Sequence, residues 1–112
     1  MSPITTHVLD VTRGKPAAGV NIVLEKREGA GFRELGRGKT DDDGRLKTLM
    51  QEGTLSAGDY RLRFDTGAYY AGRGEKTFYP EVVVLFHVED ASQHFHVPIL
   101  LSPFGYSTYR GS

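Results

Sequence analysis

Apolar and polar residues alternate along this chain in short runs, broken by Gly, Asp and Pro roughly every 8–12 residues, the spacing of an all-β sandwich or barrel. A period of two turns one set of side chains into a core and the other to water, so each run predicts a half-buried strand. Ile4 to Val11 is the first, ended by Arg13-Gly14-Lys15-Pro16 because proline cannot donate to a ladder. Val20 to Arg27 places Val20, Ile22 and Leu24 toward the core and Asn21, Val23 and Glu25 on the other face. A Glu28-Gly29-Ala30-Gly31 connection leads into Phe32 to Thr40, a polar strand whose charges suit an exposed edge. In Asp41-Asp42-Asp43-Gly44-Arg45 the glycine is expected at positive φ, delivering Arg45 from a tight turn into a short extended piece, Leu46 to Leu49. Tyr60 to Asp65 sends Tyr60, Leu62 and Phe64 inward and Arg61, Arg63 and Asp65 toward water. The stretch from Gly67 to Phe78 holds the one predicted helix, short and weakened by Gly72 and Gly74.

Two later runs break the alternation informatively: Glu81 to Val88 and His94 to Leu101 are apolar on both faces. Val82, Val84, Phe86 and Val88, with Phe95, Val97, Ile99 and Leu101, fill the sandwich. Val83, Leu85, His87, His94, His96 and Leu100 then need another cover, and a second subunit is the simplest one. The 112 residues fit a single domain, residues 1–112, with a core that needs no metal or disulfide staple. Acidic and basic residues balance to zero net charge, so no long-range field draws the chain to nucleic acid or anionic membrane; a small molecule or another protein is the expected partner. Cysteine is absent, which removes thiolate catalysis and cysteine zinc sites. With no signal-peptide pattern at Met1 to His7 and no run long enough to span a bilayer, a cytoplasmic protein is expected.

His94 and His96, two apart on a predicted strand, share the face opposite the core set. Neutral imidazole accepts a proton from water near pH 7, and the Arg45 guanidinium offers a planar fork of donors to a carbonyl or oxyanion oxygen. With His7 from the first strand, the set describes hydrolysis of a polarised carbonyl. No Gly-x-Ser-x-Gly elbow is present, so water is a better attacker than Ser102, Ser107 or Ser112. A zinc site from His7, His94 and His96 competes, but no carboxylate accompanies them and Arg45 would repel a cation, so no metal is expected. Tyr, Arg and hydroxyl groups crowd the residues after the histidine strand, which suggests that this segment builds part of the site.

Three separated segments resemble the 5-hydroxyisourate hydrolases, transthyretin-related enzymes of purine breakdown. They are His7-Val8-Leu9-Asp10 with Gly14 to Val20, Thr40 to Arg45, and the terminus from His94; Phe78-Tyr79-Pro80-Glu81 is a fourth. Tyr109-Arg110-Gly111-Ser112 is the most specific part, since the hormone-carrying transthyretins lack it, while Phe95 and Ile99 stand where Tyr and Leu are common. The resemblance implies a prealbumin-like sandwich of two four-stranded sheets with one short helix, assembled as a homotetramer with active sites at the dimer–dimer interface. It implies opening of the 5-hydroxyisourate ring by water to 2-oxo-4-hydroxy-4-carboxy-5-ureidoimidazoline, without a cofactor. The catalytic groups it implies are His7, Arg45, His96 and Ser112; Tyr109, Arg110 and Gly111 would bind substrate together with His7 and Arg45. His94 is not the family's principal histidine. The alternative is a carrier that holds an aromatic molecule in the tetramer groove without chemistry, which would call for apolar walls.

Overall fold

The computed structural model describes residues 2–112, which form nine strands and one helix. In chain order these are β1 (Ile4–Asp10), β2 (Lys15–Pro16), β3 (Asn21–Glu28), β4 (Gly31–Lys39), β5 (Arg45–Leu46), β6 (Gly58–Phe64), α1 (Thr66–Ala71), β7 (Val82–Val88), β8 (Phe95–Ser102) and β9 (Gly105–Thr108). One sheet runs β2-β1-β8-β9 with β5 also paired to β1; the other runs β4-β3-β6-β7. β5 lies opposite Thr6 and His7, and β2 opposite Leu9 and Asp10, so these two-residue strands share one edge of β1 and the sheet is four strands wide. β1 and β8 are parallel neighbours at its centre.

The alternation fixes which faces meet. Ile4, Val8, Ile99 and Leu101 from the first sheet and Ile22, Leu24, Leu62, Phe64 and Val82 from the second are almost wholly buried, and each contributes roughly 1.5–3 kcal/mol by leaving water. The polar strand β4 is an edge, as its charges require.

Several expectations need correction. Lys15 and Pro16 do not merely end the first strand but pair back onto it, where proline is tolerated because β2 is an edge. The extended piece after the Asp-Gly turn is Arg45–Leu46, shorter than expected and starting one residue earlier. The helix is confined to Thr66–Ala71, and Asp65 caps it, its Oδ1 accepting from the Ala68 N–H at 3.1 Å. Glu25 does not face water freely: it is 8% exposed, with Arg61 Nε 2.5 Å and Arg63 Nη1 3.5 Å from its carboxylate. Thus the arginines of β6 form an ion-pair network, with Arg63 also donating to Glu81. His94 precedes β8, and the segment after it carries a further strand, β9, that the alternation did not announce. No helix among the described residues is long and apolar enough to cross a membrane.

Candidate active site

β1 turns Ile4, Thr6 and Val8 into the core, which sends Thr5, His7 and Leu9 to the outer face of the sheet. Register then assembles the site: His7 stands opposite Arg45 of β5, and Thr5 opposite His96 of β8. Directly opposed residues project to the same face, so Thr5, His7, Arg45 and His96 meet there, drawn from three neighbouring strands.

Arg45 owes its place to the preceding turn. Asp41 Oδ1 accepts from the N–H groups of Asp43 and Arg45, both at 2.9 Å, and these bonds, the one from Arg45 foremost, hold the Asp41 carboxyl below its usual pKa. Gly44 adopts φ +75°, and its carbonyl accepts from the Val8 N–H at 2.7 Å, tying the turn to β1. The same turn orients His7, whose Nε2 lies 2.8 Å from the Asp43 carbonyl oxygen. A carbonyl only accepts, so Nε2 carries a proton and Nδ1 is the ring nitrogen left to take one up.

His96 is held from two sides. The Thr5 hydroxyl lies 2.8 Å from its Nδ1 and 2.9 Å from His94 Nε2. On the other side, the Gly111 N–H donates to the His96 carbonyl at 2.8 Å, and a Cβ on Gly111 would come within 2.6 Å of the His96 ring. Ser112 follows, lining a cleft of ≈ 190 Å³ with Thr5, Thr6, Arg45, Lys47, His94 and His96. Burial lowers the His96 pKa, and His7, Arg45 and His94, the histidines when protonated, push the same way, so the ring is neutral at pH 7.

The structure therefore brings together His7, Arg45, His96, Gly111 and Ser112, with His94 joined to them through Thr5. Tyr109 is 57% exposed, and Arg110 turns aside: its guanidinium lies 4.4 Å from the centre of the Phe95 ring and donates to Gln93 Oε1 at 3.0 Å. Thr5, Lys47 and the Asp43 carbonyl escaped the sequence reading. The spacing of Thr5 and His7, two apart on one strand, was the available signal for Thr5. Chemically, the face offers imidazole nitrogens, that of the neutral His96 foremost, as proton acceptors beside a fixed guanidinium donor, the requirements for water attack on a carbonyl.

The two-sheet sandwich is transthyretin-like, and a profile of the HIUase/Transthyretin family matches residues 4–111: the chain belongs to that family. Within it, the chain is 49% identical over 109 residues to the 5-hydroxyisourate hydrolase of Salmonella dublin, covering 97% of this chain and 80% of the relative. Among solved structures, it is similar to Klebsiella pneumoniae 5-hydroxyisourate hydrolase (TM-score 0.85, 37% identity, 97% of this chain and 98% of that one). It is also similar to sea bream transthyretin in complex with thyroxine (TM-score 0.92, 32% identity, 97% and 94%).

Proposed function

We propose that this chain hydrolyses 5-hydroxyisourate to 2-oxo-4-hydroxy-4-carboxy-5-ureidoimidazoline, in the cytoplasmic setting expected from its sequence. The observation that carries this reading is the convergence of His7, Arg45 and a neutral His96 on one sheet face of a chain nearly half identical to a hydrolase of that name. The imidazoles hold water and take its proton as oxygen bonds to the ring carbonyl. Arg45 meets the negative charge that develops on the carbonyl oxygen. Collapse of the tetrahedral species breaks the ring C–N bond, and the imidazolium returns the proton to the leaving nitrogen, so the six-membered ring opens to a carboxylate. Ser112 lines the cleft beside Arg45 and His96 and acts with them, while Tyr109 and Gly111 position the heterocycle and Arg110, turned to Phe95 and Gln93, serves binding by holding the terminal segment that carries them.

The working form is a homotetramer. Supporting it, the outer face of the first sheet carries the half-buried Leu9 and Leu100 beside His7 and His96, and Val83 and Leu85 of the edge strand β7 and Tyr106 of the edge strand β9 are 42%, 53% and 41% exposed. Juxtaposed sheet faces would enclose the shallow cleft and exclude bulk water from it.

The thyroxine-bound likeness gives the carrier reading its one support. Against it stand the polar groups of the face, three imidazoles, a guanidinium and an ammonium, where an aromatic hormone needs apolar walls. Absorbance loss of freshly generated 5-hydroxyisourate, followed beside a calorimetric titration with thyroxine, decides between them. Hydrolysis well above background with no hormone binding is expected; tight binding without hydrolysis would reverse the assignment.

A further inference from the structure

Thr5 and His94 have no part in the chemistry described so far, yet the Thr5 hydroxyl touches ring nitrogens of both His94 and His96. A hydroxyl holds one proton: donated to one ring, it leaves its oxygen to accept from the other. The rest of the His96 ring lines the cleft with Arg45 and Lys47, which offer only donors and positive charge, and with Ser112, whose hydroxyl can donate, and this favours a lone pair on His96 Nε2. The proton of His96 then sits on Nδ1 and is donated to Thr5, whose own proton points to His94 Nε2. His94 is exposed, so water can solvate it once charged, whereas His96 is half-buried.

We propose that Thr5 and His94 are positioning residues that form a proton wire from His96 to solvent, and this inference rests on the hydrolytic reading above. When His96 Nε2 takes a proton from the attacking water, its Nδ1 proton passes to Thr5 Oγ1 as the Thr5 proton moves to His94 Nε2. Thr5 is regenerated, His96 remains neutral with its proton on Nε2, and His94 becomes the imidazolium. The chain runs backward when His96 Nε2 protonates the leaving nitrogen. The charged and titratable groups facing His96 are His7 of β1, Arg45 of β5, Lys47 beyond it and His94 before β8; Arg110 reaches the His94 carbonyl at 3.4 Å. Each is or can become positive, so moving the charge outward to His94 relieves the crowded centre.

The test uses the full-length chain. A group that fixes the tautomer of a catalytic imidazole is worth up to about 10⁴ in turnover where it is a carboxylate, and a neutral hydroxyl less, roughly 10- to 100-fold. T5V should therefore lower kcat by that amount and T5S regain most of it. H94Q keeps a hydrogen-bonding group beside Thr5 but cannot take up a proton, so it should lower kcat about tenfold with KM unchanged. Independently of substrate, ¹⁵N NMR of neutral His96 should show the proton on Nδ1. A His96 proton on Nε2, or H94Q turning over at the parent rate, overturns the wire. Inactivity of the unaltered chain instead overturns the hydrolase reading, and the NMR tautomer still judges the Thr5 hydrogen bond.

Discussion

His96 is neutral at pH 7 because burial first, then His7, Arg45 and His94, the histidines when protonated, disfavour its imidazolium. Its folded pKa lies below the ordinary value of about 6.5, so the base is fully available above that pH and is lost only as the pH falls through the lowered value. The acid limb of kcat/KM should accordingly lie below about pH 6.5. A limb at or above the ordinary imidazole value would show that His96 is not the titrating base. At the same residue, Gly111 is the space that the ring occupies. Gly111→Ala would put a methyl carbon 2.6 Å from the imidazole, so this variant should fold normally, by circular dichroism, and lose activity at least tenfold as the ring is displaced. His94, His96 and Arg45 were legible because imidazole and guanidinium carry chemistry wherever they stand. Thr5 was not, because threonine is an ordinary strand former and only the β1–β8 register shows that it meets a histidine ninety-one positions away.

At the scale of elements, the turn at Asp41 to Arg45 is the hinge between sequence and site. Gly44→Ala would impose a left-handed φ on a side chain whose Cβ lies 2.4 Å from the Val8 carbonyl oxygen. Thermal or urea unfolding should show a loss of about 2–3 kcal/mol, beyond the 1–2 kcal/mol of the backbone conformation alone, and Arg45 should lose its register with His7. On the opposite sheet, Glu25→Gln removes the carboxylate that two arginines share. A cost of about 1–2 kcal/mol in urea denaturation is expected, less than for a fully buried pair because the arginine side chains keep 30% and 38% of their surface in water. The long strands were readable to within a residue or two, β1, β3 and β6 because alternation over seven or eight residues has one physical solution, and β7 and β8 because apolar β-branched runs bounded by polar turns read as strands without it. β2 and β5 were not, since two residues carry no period and pair only because the turns before them bring them back to β1. Glu25, Arg61 and Arg63 share an outer sheet face, but their burial depends on cross-strand neighbours that a single run does not display.

At the scale of the whole molecule, the double-sided apolarity of β7 and β8 pointed beyond one chain. The core set is buried as expected except Phe86, which is half-buried against the core, and the second set is split: Val83 and Leu85 stay exposed while Leu100 is half-covered. Sedimentation equilibrium should give about four times the 12.4 kDa of one chain, since a chain of zero net charge has little repulsion to hold copies apart. Leu85→Asp should yield a smaller species with the same circular dichroism, because a charge on an apolar contact is costly to bury. Retention of the full tetramer mass would show that β7 lies outside the interface.

The joint action of His7, Arg45 and His96 is tested most directly by single-turnover stopped-flow with freshly generated 5-hydroxyisourate. The unaltered chain is compared with His7→Ala, Arg45→Ala and His96→Ala at matched circular dichroism. Each substitution should slow ring opening by about 10²- to 10⁴-fold, the range for losing a general base or an oxyanion donor. A folded variant of any of the three that opens the ring within a few-fold of the parent rate would contradict this assignment.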